Sequence, residues 1–150
     1  MPNRNVHTAV STLLGVGVAS RRARDLELDQ AAAEILGAAI GGWCGGRLPD
    51  ILEPPRSPGH RALAHSLTAG DATTCGATSL MNRWEEPLRL TADKMRRTRR
   101  GTENGFDFLS NWLGEFLLHV AVGFVTGLLV GYVSHLALDM ITTRGLPIVQ

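Results

Sequence analysis

The chain has 150 residues, 44% of them hydrophobic and 19% charged, so it is long enough for one domain with a core and too short for two. Fifteen lysines and arginines against fourteen aspartates and glutamates leave a net charge of +1, which argues against a nucleic-acid-binding domain. Cys44 and Cys75 belong to no CxxC pattern, so no disulfide framework is expected.

The first third of the chain predicts two helices and then a proline-rich loop. Residues 8–20 are apolar and rich in small side chains, and no signal-peptide cleavage site follows them, so we expect an uncleaved short helix. Residues 28–46 have Ala-rich helical character, which two glycines and then Pro49 bring to an end. Residues 47–58 hold four prolines and predict a shaped loop that feeds a helix from about Gly59.

The middle of the chain is polar. Residues 82–106 predict a charged surface connector, with an amphipathic helix near residues 87–100, inside one domain that spans residues 1–150. A basic run in this stretch could face phosphates or acidic lipid, although such runs are more commonly solvated. Its members are Lys94, Arg96, Arg97, Arg99 and Arg100.

The last apolar stretch, residues 116–138, is uncharged over 23 residues, which is enough for a helix that crosses a bilayer. A fully buried central helix of a soluble all-α domain is the alternative, and the two histidines inside the stretch support it. Membrane insertion is slightly favoured.

Two rows of glycines at four-residue spacing predict closely packed helices. The rows are Gly37, Gly41 and Gly45 in the second segment and Gly123, Gly127 and Gly131 in the last one. This spacing lets two helix backbones approach closely, in membranes and in soluble bundles alike. The second row continues to His135 and then Asp139, so the packing face also presents two potential ligands.

His135 and Asp139 are the core of a predicted site. Their side chains stand one helical turn apart on the same face and can meet one cation or two adjacent ones. A histidine and an aspartate at this spacing are more often a simple hydrogen-bonded pair, so both interpretations stay open at this point. His119 lies about 160° around the axis from His135, and we expect it to be a core or pore-facing residue and not a ligand.

Further candidates come from the proline-rich region. His60 and His65 are turned about 500° apart around a helix, so they converge only if His60 lies at the loop-to-helix junction; otherwise one is functional and one is a surface residue. Asp50 could point inward from the loop or serve as a turn or cap residue. Glu53 could be a ligand, a general base or simply exposed. Imidazole and carboxylate ligands suit Zn²⁺, Mn²⁺ or Fe.

These motifs together resemble one known family, the LexA-regulated, membrane-bound, metal-dependent hydrolases (YdjM-like). The resemblance is carried by His7, by the Gly-Arg-Leu-Pro-Asp element at residues 46–50, by the His-Arg…His-Ser element at residues 60–66, and by the Gly-Tyr-x-x-His-x-x-x-Asp helix at residues 131–139. The last helix is also distantly similar to one in zinc-dependent phospholipases C.

The resemblance implies an all-α fold, a compact bundle with its metal site between helices. It also implies a set of metal ligands or near-ligands, namely His7, Asp50, His60, His65, His135 and Asp139. This chain departs from the family pattern in two places. Ile51, Leu52 and Glu53 stand where members often carry a second Asp and a His, and the segment after His65-Ser66 is polar where it is usually apolar. We therefore expect fewer membrane crossings, or none.

The expected function is hydrolysis by a metal-activated water on a phosphoester or lipid-type substrate, with zinc as the first candidate and manganese or iron as alternatives. Glu53 or Asp50 would accept the proton and Arg61 would stabilise an anionic transition state, unless Arg61 is an ordinary surface arginine. The rival is a non-catalytic membrane protein whose metal or hydrogen bonds tie its helices together. Membrane lipid is the expected partner, nucleic acid is not, and homo-oligomerisation is open. The expected location is the inner membrane, with the cytoplasm as the alternative.

Overall fold

The computed structural model describes residues 4–52 and 67–141, and within them the chain is all-α, as predicted. The helices are α1 (Arg4–Arg22), α2 (Leu28–Gly45), α3 (Leu48–Leu52), α4 (Leu67–Gly101) and α5 (Gly105–Ile141). No strand occurs in these two ranges. α1 begins four residues earlier than its apolar pattern suggested, so His7 lies inside its first two turns.

α2 begins and ends where its sequence predicts. Gln30 Oε1 accepts a hydrogen bond from the Glu27 backbone N–H, which supplies a partner for a group at the helix start. At the other end the Gly46 N–H donates to the Gly42 carbonyl, and α3 follows after one further residue. The short α3 replaces the first part of the predicted loop, because Pro49 is tolerated in the first turn of a helix.

The two glycine rows face each other, and this is the closest contact in the bundle. A Cβ added at Gly37, Gly41 or Gly45 would come within about 3 Å of the backbone of α5. A Cβ at Gly123, Gly127 or Gly131 would come as close to the backbone of α2. Successive glycines of α2 contact successively later residues of α5. The two helices therefore run parallel, with their backbones in direct contact.

α1 packs antiparallel to these two helices. Gly15 lies against Gly127 on α5, and a Cβ on Gly42 would clash with the α1 backbone at Ser11. Ser11 also joins α1 to α5 through its hydroxyl, which lies 2.8 Å from the Ser134 hydroxyl and donates to the Gly131 carbonyl at 3.1 Å.

The predicted polar connector is largely a helix. Residues up to Gly101 continue α4, which packs along α5, and only residues 102–104 separate the two helices. The inward face of α4 is polar because buried carboxylates oppose it. Arg89 Nη1 lies 2.8 Å from Glu34 Oε1, and Arg99 Nη2 lies 3.1 Å from Glu115 Oε2.

A third ion pair joins α4 to α1. Glu85 Oε2 lies 2.5 Å from Arg22 Nη2, and its other oxygen accepts a hydrogen bond from the Thr126 hydroxyl at 2.8 Å. Arg96 pairs with Glu27 at the start of α2. The basic run is thus divided: Arg96 and Arg99 point into the bundle, while Lys94, Arg97 and Arg100 are exposed.

We expect Gly41→Ala to destabilise the protein by about 1–3 kcal/mol or more, because its methyl group meets backbone that cannot rotate away. Gly17→Ala is the matched control, since nothing lies within 4 Å of the added Cβ and alanine favours a helix by about 0.5–1 kcal/mol. Thermal unfolding in detergent, followed by circular dichroism, measures both. Equal unfolding midpoints for the two variants would contradict the direct backbone contact between α2 and α5.

Glu34→Ala should also lower the unfolding midpoint, because it leaves Arg89 and the buried His119 without their carboxylate partner. Arg89 is 28% exposed, so we expect a loss of about 1–3 kcal/mol, smaller than for a fully buried pair. Glu86→Ala, at an exposed site on α4, is the control and should change the midpoint little.

Candidate metal centre

Three helices bring imidazoles and carboxylates together at one end of the bundle. His7 comes from the start of α1, Asp50 from α3, and His135 and Asp139 from the end of α5. His7, His135 and Asp139 are buried, with 4%, 1% and 5% of their surface exposed. Buried polar side chains at a helix junction require polar partners, and here they are one another's neighbours.

The distances within this cluster suit a shared cation. Asp139 places one oxygen 3.5 Å from His7 Nε2 and the other 3.6 Å from His135 Nε2. His135 Nε2 also lies 3.7 Å from an Asp50 oxygen. These separations exceed the roughly 2.7–3.2 Å of an N–H···O hydrogen bond. They are close to the roughly 3.3–3.4 Å between neighbouring ligands of a tetrahedral zinc with bonds of about 2.0–2.1 Å.

The orientation of His135 is fixed by the backbone. Its Nδ1 lies 2.6 Å from the Gly46 carbonyl oxygen, which can only accept, so Nδ1 carries the proton. In the neutral imidazole Nε2 is then the nitrogen with a lone pair, and Nε2 lies 3.7 Å from an Asp50 oxygen and 3.6 Å from an Asp139 oxygen. A second nitrogen that donates to a carbonyl is the usual arrangement for a metal-binding histidine.

The surroundings of Gly46 explain why a glycine stands there. A Cβ at this position would come 2.6 Å from both the Cβ and the Oγ of Ser11. Ser11 lies one turn from His7 on α1, and its hydroxyl partner Ser134 immediately precedes His135. The serine pair therefore sets the separation of α1 and α5 one turn from His7 and directly beside His135.

Asp50 differs from the other members of the cluster because its side chain is 36% exposed. His135 beside it is 1% exposed. The cluster is thus enclosed by protein on most sides and open at one carboxylate. A site that serves only to tie helices together does not need such an opening, whereas a reacting molecule does.

The structure brings together part of the predicted set. His7, His135 and Asp139 form a group whose ligand atoms lie within 4.8 Å of one another, and Asp50 lies next to it. His7 had been implied only by the family resemblance. Four predicted residues fall outside the described ranges: Glu53, His60, Arg61 and His65.

His119 stands apart from the cluster, as expected. It is 3% exposed, and its Nδ1 lies 2.8 Å from Glu34 Oε1 in the polar half of the bundle. The roles of Gly46, Ser11 and Ser134 were missed from the sequence. The glycine row on α2 indicated only that the end of this helix, next to Gly46, meets α5. It gave no indication of the two serines.

The profile of the family described as YdjM inner membrane protein matches residues 1–150. The chain belongs to the YdjM inner membrane protein family. No curated protein and no solved structure matches it.

Membership places the chain at the inner membrane, and α5 agrees with that location. Of the helices in the described ranges, α5 is the one long and apolar enough to cross a bilayer, over Gly105–Asp139, with a mean hydropathy of 2.1 in its best window. Only 33% of that window is buried by the rest of the chain, so α5 is not the fully enclosed core helix that the alternative required.

We expect His135→Ala to weaken zinc binding by more than about 100-fold, because it removes a donor that the Gly46 carbonyl orients. His119→Gln, on the same helix and equally buried, should leave the zinc content unchanged. Elemental analysis of both purified variants beside the parent protein makes the comparison. Equal zinc loss in the two variants, or none in either, would count against the site.

Proposed function

We propose that this YdjM-family protein is a membrane-bound, metal-dependent hydrolase whose cation is held by His7, His135 and Asp139, with Asp50 at the open edge. Zinc is the first candidate because two imidazoles and a carboxylate are its common catalytic ligands, while manganese and iron remain compatible with them. The observation that carries the proposal is the close approach of these buried donors beside one partly exposed carboxylate.

A divalent cation bound by these residues would lower the pKa of a coordinated water toward neutrality and polarise a substrate oxygen. The side chains would position the cation and accept the proton. Asp50 is exposed enough to meet a substrate and close enough to His135 to accept a proton at the reacting centre. The bond from His135 to the Gly46 carbonyl keeps the imidazole in the tautomer that can act as a ligand.

We further propose roles for residues of the segment between α3 and α4. His60 and His65 would complete the ligand set, Glu53 would be a second candidate base, and Arg61 would stabilise negative charge in the transition state. Their positions in the chain support this, since the segment begins only three residues after Asp50 and three of the four residues, His60, Arg61 and His65, belong to the family motif.

The substrate class we favour is a phosphoester or a lipid-type ester. The inner-membrane location supports it, because lipid is the most abundant ester near the site. The distant likeness of the residues 131–139 helix to zinc-dependent phospholipases C points the same way.

A structural role is the competing function, in which the same cation merely ties α1 to α5. The deep burial of His7, His135 and Asp139 at a helix junction favours it. Removal of the metal separates the two functions. A structural site should unfold when chelated, whereas a catalytic site should keep its fold and lose turnover that zinc restores.

The test is a panel of phosphodiester, phosphomonoester, lipid and amide substrates, assayed without added metal and with added zinc, manganese or iron. We expect Asp50→Asn to lower turnover by about 100-fold or more while the unfolding midpoint stays unchanged, since it removes a proton acceptor at an exposed position. Asp93→Asn, on the exposed face of α4, is the control. If no substrate turns over with any of the three metals, hydrolysis is the wrong function.

A further inference from the structure

A groove runs over the outer surface where α1 and α2 meet, at the same end of the bundle as the metal centre. Its volume is about 530 Å³, and its walls include Thr8 and Leu13 from α1 with Trp43 and Arg47 from the end of α2. Sites for small molecules have volumes of roughly 300–1,000 Å³, so the groove is large enough for one.

Arg47 gives this groove a fixed positive charge. Its guanidinium carbon lies 3.9 Å from the centre of the Trp43 ring, and its Nε donates to the Thr8 hydroxyl at 3.4 Å. No carboxylate in the described ranges pairs with it, in contrast to Arg22, Arg89 and Arg99 in the polar half of the bundle. The terminal nitrogens of a guanidinium held in this way are suited to the oxygens of a phosphate.

An apolar row leads away from Arg47 along the outer face of α2. Leu36, Ile40 and Trp43 follow one another at helical spacing, and they are 49%, 48% and 47% exposed. Leu13 on α1, which is 71% exposed, lies across the groove. The row is about 10 Å long at 1.5 Å per residue. A free phosphate would contact only Arg47, whereas a phospholipid would contact both Arg47 and the apolar row.

The register of α2 against α5 sets the depth of this row. Gly37 and Gly45 lie against Val120 and Leu128, which are inside the apolar stretch of α5. Leu36 and Ile40 therefore lie at the level of the middle of the candidate span, and Trp43 lies about one turn beyond Ile40, toward its end. Arg47 lies farther along, toward Asp139, where the span ends. Tryptophan and arginine at the end of an apolar face are typical of the membrane–water boundary.

We propose that this groove binds an anionic phospholipid, with its headgroup phosphate on Arg47 and an acyl chain along Leu36, Ile40 and Trp43. The headgroup then lies beside the metal centre, because Thr8 follows His7 and Arg47 follows Gly46 in the chain. Binding here does not depend on hydrolysis, so the proposal stands or falls separately from the proposed enzymatic function.

The experiment uses the fluorescence of Trp43 in a variant that lacks the other two tryptophans (Trp84→Phe, Trp112→Phe). Phosphatidylglycerol and phosphatidylcholine with brominated acyl chains are titrated in mixed micelles, since bromine quenches only a tryptophan that it contacts. We expect phosphatidylglycerol to quench at about tenfold lower mole fraction, because a charge-assisted bond from Arg47 favours its net negative headgroup.

Arg47→Gln should abolish that preference, whereas Arg83→Gln, an exposed arginine on α4, should preserve it. Arg47→Lys keeps the charge without the planar fork and should retain part of the preference, which gives a second measurement if the glutamine variant folds poorly. Millimolar glycerol 3-phosphate should not displace the lipid. An unchanged preference in Arg47→Gln, or displacement by glycerol 3-phosphate, would overturn the proposal.

Discussion

The direct contact between the glycines of α2 and α5 is the constraint on which the rest of this structure depends. Because Gly41 and Gly127 each meet opposing backbone, the two helices cannot slide along each other without a clash. That fixed register places the Gly46 carbonyl against His135 Nδ1 and the end of α2 beside the end of α5. The candidate metal centre is thus a consequence of packing about one to two turns away from it.

The buried carboxylates of the bundle fall into two groups, those paired with arginine and one that faces histidines. Toward the start of α5, Glu34 and Glu115 each have an arginine, so those carboxylates are already neutralised and offer little to a metal ion. At the far end, Asp139 faces two imidazoles, those of His7 and His135. A carboxylate within 3.6 Å of two imidazole nitrogens offers the oxygen and nitrogen donors that a divalent ion such as zinc binds.

The sequence predicted most of the fold and the central part of the site, because both depend on spacing. Glycines four residues apart continue directly into His135 and Asp139, so one helix face could be followed from packing to chemistry. The structure of α4 could not be predicted in the same way. Its inward residues are Glu85, Arg96 and Arg99, which look solvated until their partners of opposite charge on α1, α2 and α5 are known. Hydropathy alone assigns such a face to the surface.

The place of His7 in the candidate site could not be predicted from the residues around it in the sequence either. Nothing near it in the sequence marks it as a ligand, since its partner Asp139 is 132 residues away and the pattern of its own helix suggested a start at Thr8. Its position follows from two tertiary facts, the antiparallel packing of α1 and the Ser11–Ser134 hydroxyl contact. Because that contact lies one turn from His7 and directly beside His135, a change in either serine would move the two imidazoles relative to each other. If the candidate centre binds a metal, its affinity would therefore depend on two hydroxyl groups that lie outside the candidate ligand set.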